Sequence, residues 1–318
     1  MPSVSSLLGE ARRILGQHCE TNQLSMSVMP GVHLMLFEWR SLPLVSVQFP
    51  CMALVVQGSK CIEFGGRQMR YGAGQFLLAS IDMPAVSSIV NASRTHPLLA
   101  VAIQIDFAEV KEVVERCDVL PEVKPQPGID IFDADTELLE AVVRLLRLLD
   151  RPGDSKPLSP LIRQEILYRL LTAKSGSRLL EICRSGSPSK RIAEAIAWLR
   201  SNFADGFMVA DLAHQVGMSP SSFHQHFREV TGMTPIHYQK RIRLQQARKC
   251  LLLDSVDVGE ASFRVGYQSH SQFSKDYRNY FGRLPKDDVR AYARKEFFVE
   301  AYAPEIGAAA ARYSPNAR

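Results

Sequence analysis

The strongest constraint on the fold is an internal repeat. Val209-Ala-Asp-Leu-Ala-His-Gln-Val-Gly217 aligns with Val258-Gly-Glu-Ala-Ser-Phe-Arg-Val-Gly266 at an offset of 49 residues. Beyond the glycine the offset becomes 50, matching Phe223 to Phe273, Phe227 to Tyr277, Gly232 to Gly282 and Pro235 to Pro285. One extra residue in the second turn, Gln268, absorbs the difference. Each copy reads as helix, turn, helix. Gly217 and Gly266 stand where a first helix must end in a left-handed cap. Ser219 and Ser269 stand where the next helix needs an N-cap, and Pro220 follows Ser219 at the first helical position. The aromatic pairs Phe223/Phe227 and Phe273/Tyr277, four residues apart, share one helix face and turn it to a core, leaving the polar residues between them exposed. Met208 occupies the N-cap place of the first unit's leading helix, where Ser or Thr would hold better.

Charge is unevenly spread along the chain. Residues 1–189 carry 19 Lys and Arg against 20 Asp and Glu, whereas 190–296 carry 17 against 11. The basic excess therefore belongs to the repeat region and points to a polyanion partner. A pair of plain helical hairpins with a solvated basic surface is the alternative, and it leaves the coincidence of turn glycine, cap serine and exposed polar face, twice over, unexplained.

Residues 190–297 resemble the DNA-binding domain of the AraC/XylS family. The resemblance rests on Leu212-Ala-His-Gln-Val-Gly-Met-Ser-Pro-Ser-Ser-Phe-His-Gln-His-Phe227, Arg243-Leu-Gln-Gln-Ala-Arg248, Val265-Gly-Tyr-Gln-Ser-His-Ser-Gln-Phe-Ser-Lys275 and Phe281-Gly-Arg-Leu-Pro285. It implies a long helix joining the units, here Pro235 to Leu253 with Leu244, Ala247 and Leu251 inward. It also implies base reading by Ser221, His224, Gln225, Ser271, Gln272 and Lys275, where Gln suits adenine and Lys suits guanine. Arg228, Lys240, Arg241, Arg243 and Arg278 are placed for phosphate, which gives affinity without sequence information. His224 and His226 point to different helix faces and have no Cys or third His beside them, so neither reads as a metal ligand.

The N-terminal half has another character. From Val32 to Ile105 short β-type runs (Val32 to Trp39, Ala53 to Val56, Cys61 to Phe64, Phe76 to Ala79, Leu98 to Ile105) alternate with Gly58, Gly65, Gly66, Gly72, Gly74, Pro84 and Pro97, the pattern of a small barrel or sandwich. Helical periodicity follows over Phe107 to Cys117, Thr136 to Leu149 and Pro160 to Leu171, the last with Ser159-Pro160 as N-cap and first residue. The Thr136 to Leu149 helix is apolar on more than one face and needs partners on two sides, either neighbouring helices or a second subunit. Pro50-Cys-Met-Ala-Leu-Val-Val-Gln-Gly-Ser-Lys60 with Tyr71-Gly-Ala-Gly-Gln-Phe-Leu-Leu-Ala-Ser80 and Pro84 resembles the N-terminal domain of one branch of AraC-type regulators. The resemblance implies a cupin-like barrel with helices that senses an effector or pairs subunits.

The resulting expectation is an α+β chain of two domains. Residues 1–30 form an N-terminal helical segment, 31–185 the cupin-like β-barrel and its flanking helices, and 186–190 a linker within Arg184-Ser-Gly-Ser-Pro-Ser-Lys190. An all-α double helix-turn-helix domain spans 191–297, and 298–318 is a flexible tail. With 46% hydrophobic and 22% charged residues the composition is that of a globular chain. No segment reaches the length of a membrane span, and the first thirty residues lack a signal-peptide core, so the cytoplasm is the expected place. The cysteines Cys19, Cys51, Cys61, Cys117, Cys183 and Cys250 show no zinc spacing, as expected of free thiols in a reducing compartment. The barrel offers only His33 and His96 toward a metal, and Gly65-Gly66 is a hairpin turn too sparse to cradle a phosphate, so no cofactor or metal is expected. Cys51 and Cys61 are its candidates for contact with an effector such as an electrophile, against the alternative of small buried hydrophobes. The partners expected are duplex promoter DNA, a small-molecule effector, a second copy of the chain and, for an activator, RNA polymerase. The residues themselves leave activation or repression open. They also leave open a cupin-type enzyme or carrier with a helical tether, and a DNA-binding regulator without an effector.

Overall fold

A computed structural model describes residues 2–19, 23–26, 29–41, 44–117, 127–184, 186–252, 254 and 256–293; the expected flexible tail lies outside them. The N-terminal part contains strands β1 (Gln23–Met26), β2 (Val32–Phe37), β3 (Leu44–Gln48), β4 (Cys51–Gln57), β5 (Ser59–Phe64), β6 (Arg67–Gly72), β7 (Gln75–Ala79), β8 (Met83–Asn91), β9 (Leu98–Gln104) and β10 (Ile129–Asp133), with helices α1 (Val4–His18), α2 (Phe107–Glu115), α3 (Thr136–Arg147), α4 (Pro152–Thr172) and α5 (Ser177–Cys183). The C-terminal part is helical: α6 (Pro188–Ser201), α7 (Val209–Gln215), α8 (Pro220–Thr231), α9 (Pro235–Leu252), α10 (Val258–Arg264), α11 (His270–Phe281) and α12 (Pro285–Ala293).

The strands form two antiparallel sheets, one of six strands in the order β1-β2-β9-β4-β7-β10 and one of four in the order β3-β8-β5-β6. This is the jelly-roll-like, cupin-like barrel the sequence pattern pointed to. Alternation along each strand sorts the side chains. From β4, Cys51, Ala53 and Val55 face the other sheet, where Ile62, Phe64 and Tyr71 meet them, while Met52, Leu54 and Val56 face the helices. Each such fully buried Leu, Ile, Val or Phe contributes about 1.5 to 3 kcal/mol. The polar edge strand β6 has no hydrophobic run by which to recognise it, and Pro84, which reads as a break, lies inside β8 opposite Val47.

The over-apolar α3 is enclosed within the chain. Its residues Leu138, Leu139, Val142, Leu145 and Leu146 share one core with Leu7, Ile14 and Leu15 of α1, Ile166, Leu167 and Leu170 of α4, and the outer face of the six-stranded sheet. Neighbouring helices thus occupy both of its sides. A correction concerns α4, which starts at Pro152 and runs through Pro157 and Pro160, so Ser159-Pro160 is not its start. Both ring residues are exposed, as are Gly153 and Lys156, whose carbonyls lose their helical donor and can turn to water instead. Helix α6 begins at Pro188, capped by Ser187, inside the stretch read as linker.

The barrel core continues without a break into the first repeat unit. Ile81, Met83 and Ile129 belong to the same buried cluster as Val230, Met233, Tyr238 and Ile242, whereas the second unit has a separate core of Leu244, Ala247, Leu251, Ala261, Val265, Phe273 and Tyr277. At the junction the Gly128 N–H donates to the Val230 carbonyl at 2.9 Å. The Tyr238 hydroxyl donates to the Asp82 carbonyl at 2.6 Å, and Arg200 pairs with the Asp82 carboxylate. The hairpin turn meets the end of α8 backbone to backbone: a Cβ on Gly65 would lie 2.8 Å from the Gly232 Cα.

Candidate nucleic-acid interface

Each repeat unit closes as its local chemistry dictates. Helix α7 ends at Gly217 with φ +71°, and α10 at Gly266 with φ +84°, the left-handed region open to glycine. The Ser219 hydroxyl then accepts from the Ser222 N–H at 3.4 Å and the Ser269 hydroxyl from the Gln272 N–H at 3.3 Å, capping α8 and α11. Both helices end on left-handed glycines, Gly232 and Gly282. Asp257 caps α10 by accepting from the Glu260 N–H at 2.9 Å, while Met208 offers α7 no side-chain cap. Phe223, Phe227, Phe273 and Tyr277 are fully buried. That anchoring turns the opposite face of each helix outward, where Ser221, His224, Gln225, Ser271, Gln272 and Lys275 are all exposed.

The two units are joined by a network that the sequence pattern does not reveal. The Arg243 guanidinium on α9 donates to the carbonyls of Phe203 at 2.6 Å, Ala204 at 3.1 Å, Asp205 at 3.0 Å and Gly266 at 3.2 Å. It thereby ties the loop before α7 to the turn of the second unit. Arg243 is therefore a structural clamp, with four of its five N–H groups used inside the protein and little left to offer a phosphate. At the far end of α9, Arg248 Nε donates to the fully buried Asp288 at 2.7 Å, and Tyr277 donates to the same carboxylate at 2.7 Å. Lys240 pairs with Asp276 at 2.6 Å, so its charge is partly spent before any phosphate arrives. Arg241 lies over the Tyr280 ring at 5.3 Å, and Arg228 and Arg278 are exposed. A cleft of about 530 Å³ between the units and the barrel's Gly65-Gly66 turn gathers Arg228, His237, Lys240 and Arg241.

Comparison with known proteins agrees with this geometry. Residues 28–178 match the model of the AraC-type transcriptional regulator N-terminus, and 212–291 match a helix-turn-helix domain model. The chain belongs to the AraC-type transcriptional regulators. It is 30% identical over 151 residues to the HTH-type transcriptional activator RhaS of Salmonella schwarzengrund (strain CVM19633), an alignment covering 47% of this chain and 54% of that protein. The same figures hold for RhaS of Salmonella typhi. The chain thus spans about half the length of these curated relatives. Among solved structures it resembles an apo single-residue variant of ToxT from Vibrio cholerae strain SCE256, with a TM-score of 0.55 at 9% identity over 83% of this chain and 99% of that one. Wild-type ToxT of the same strain bound to unsaturated fatty acid gives 0.54 at 9% identity over 81% and 93%. At such identity these two speak for the fold alone. The family that these models describe is one of transcriptional regulators.

On the barrel side of this AraC-type chain the candidate cysteines part company. Cys51 is fully buried between the sheets and accepts a hydrogen bond from Gln48 Nε2 at 3.0 Å. Burial pushes its thiol up to about 12, which makes it inert, against the reactive reading. Cys61 is half-buried, on the face of β5 opposite Ile62 and Phe64. Sequence reasoning gives Lys60 and His33 no part in meeting an effector. Lys60 shares the inner face with Ile62, and its ammonium stands 3.9 Å from the Met35 sulfur and near enough to Cys51 to act on it electrostatically. The phase of Lys60, Ile62 and Phe64 could have found it. His33, on the inner face of β2, is 6% exposed, packs its ring edge-on to Phe49 at 5.7 Å, and its Nδ1 has no hydrogen-bond partner among the described residues. Burial lowers its pKa and keeps the imidazole neutral. Among the described residues no group of three or more His, Cys, Asp or Glu is gathered for a metal, and no helix is long and apolar enough to cross a membrane.

Proposed function

We propose that this chain is a sequence-specific duplex-DNA-binding regulator, an activator as RhaS is named, whose barrel answers to a small molecule. The observation that carries the reading is the pair of serine-capped, glycine-ended helices α8 and α11, each anchored by buried aromatics and presenting exposed polar side chains. In this reading 191–297 is the DNA-binding unit and 31–185 the effector unit. Ser221, His224 and Gln225 read one major groove, and Ser271, Gln272 and Lys275 read the next, about 10 base pairs away. Arg228, Arg241 and Arg278 meet phosphate, with Lys240 in a lesser share. RNA polymerase is the partner of the activator, and the cytoplasm is its place.

The effector site in this reading is the space between the sheets, where Lys60 and His33 stand among Met35, Phe37 and Cys51. It suits a largely apolar molecule with one anionic or hydrogen-bonding end, a description that the fatty acid named for ToxT also meets. The test is direct. Full-length protein is bound to a randomised duplex pool at rising salt, and the affinity should fall steeply because each neutralised phosphate releases counterions. Binding that is indifferent to salt, or a pool that returns no preferred sequence, overturns the reading. A thermal-shift screen with aromatic and aliphatic acids follows, in which a ligand at about a hundred times its Kd adds about 2.7 kcal/mol. A homodimer is part of the same reading. With α3 enclosed, the surface for a second copy is α4, where Leu158, Leu161 and Tyr168 remain exposed. Sedimentation of Leu161→Glu against the unaltered chain tests it.

A further inference from the structure

In helix α8 a glutamine is tied to a carboxylate four residues on. Gln225 Nε2 donates to Glu229 Oε1 at 2.9 Å, and His226 Nδ1 stands 3.0 Å from Glu229 Oε2. Helix α11 has the same spacing in Gln272 and Asp276, where Asp276 is held by Lys240 at 2.6 Å and by the Tyr267 hydroxyl at 3.3 Å.

The chemistry of the amide gives the pairing a consequence. Glutamine recognises adenine by accepting from N6 with its oxygen while donating to N7 with its nitrogen, so the contact reads the base only when the amide presents the right edge. An exposed amide exchanges freely between its two flipped orientations. A carboxylate accepts hydrogen bonds and donates none, so it welcomes the NH2 end of the amide and repels the carbonyl end. One N–H is then engaged, and the other N–H and the carbonyl stay directed outward. Glu229 is secured in ionised form: it is held below the ordinary carboxylate range by the hydrogen bond from Gln225, and then by the charges of His226 and the buried Arg178 of α5.

We propose that Glu229 is a positioning residue that fixes the amide orientation of Gln225, and so sets which base that glutamine prefers. The inference rests on the reading of Gln225 as a base contact. Glu229 does not touch DNA in this role.

The experiment compares full-length chains on one randomised duplex pool and reads the preference at each position. Gln225→Ala should flatten the preference at one position. Glu229→Ala should reduce the preference at that same position at least about fivefold, the lower end of what a bidentate contact supplies. It should leave salt-dependent binding to non-selected duplex as tight as before or tighter. Glu229→Gln, whose amide can present Gln225 with a donor as readily as an acceptor, should lose the preference much as Glu229→Ala does. In the Gln225→Ala background, Glu229→Ala should change the profile no further. If Gln225→Ala flattens a position and Glu229→Ala does not, the positioning role is wrong while the base reading stands. If Gln225→Ala itself leaves the profile unaltered, the base reading falls and the positioning role with it.

Discussion

Two glycines with the same backbone conformation serve unequal ends. A Cβ added at Gly217 would meet only the end of the Arg191 side chain, at 3.5 Å, whereas a Cβ on Gly266 would fall 1.9 Å from the Ala204 carbonyl oxygen. Gly217→Ala should therefore cost only the left-handed strain, about 1 to 2 kcal/mol. Gly266→Ala should cost clearly more, because the turn of the second unit would be pushed off the loop before α7. Urea unfolding of the two variants checks the order, and equal losses would mean the contact with Ala204 carries no weight. The same loop explains why the caps were legible and the clash was not: a cap is a relation between residues three apart, while Gly266 and Ala204 meet only after folding.

At the scale of elements, α9 decides how helices α8 and α11 are held. Arg243→Ala removes the donors to four carbonyls, and leaving such groups unpaired costs about 1 to 3 kcal/mol. The expected outcome is lower stability and blurred site preference with the slope of log affinity against log salt unaltered. Arg278→Ala should do the reverse, lowering that slope by about 1 while leaving stability within about 0.5 kcal/mol. A slope that falls with Arg243→Ala would return that residue to the phosphate contacts. Deleting the Tyr277 hydroxyl in Tyr277→Phe takes one donor from the buried Asp288, which keeps its bond from Arg248. Thermal unfolding should show a loss of about 1.5 to 3 kcal/mol, the worth of a hydrogen bond to a charged group.

Over the whole molecule, the barrel and the first unit share a core while the second unit hangs from α9. Asp82 is the ionisable group at that joint. Burial raises its pKa above the ordinary carboxylate value, and the Arg200 charge offsets only part of this. A carboxyl whose folded pKa is raised binds its proton more readily when folded. Its protonation therefore adds stability that is fully present below the unfolded pKa and lost as pH rises through the folded one. Acidification through that window should stabilise the unaltered chain relative to Asp82→Asn, which has no proton to take up. Parallel melting curves for the two across mildly acid pH would show that Asp82 ionises normally. An effector that alters DNA affinity must in turn have its own affinity altered by DNA to the same extent, which titration calorimetry with and without duplex can establish.

The sequence by itself determined the number, order and type of the helix-turn-helix units and the exposed residues on each, because caps, turn glycines and aromatic spacing act within a few residues of one another. It determined a barrel followed by helices for the same reason, although the polar β6 and the proline in β8 gave no hydrophobic rhythm to follow. Only the tertiary structure decided that Arg243 is a clamp, that Lys60 and His33 look inward, and that Cys51 is too buried to react. It alone brought the Tyr238 hydroxyl to the Asp82 carbonyl across 156 residues of chain. Such contacts depend on which surfaces meet once the sheets have closed and α9 has docked, and no local pattern carries that information.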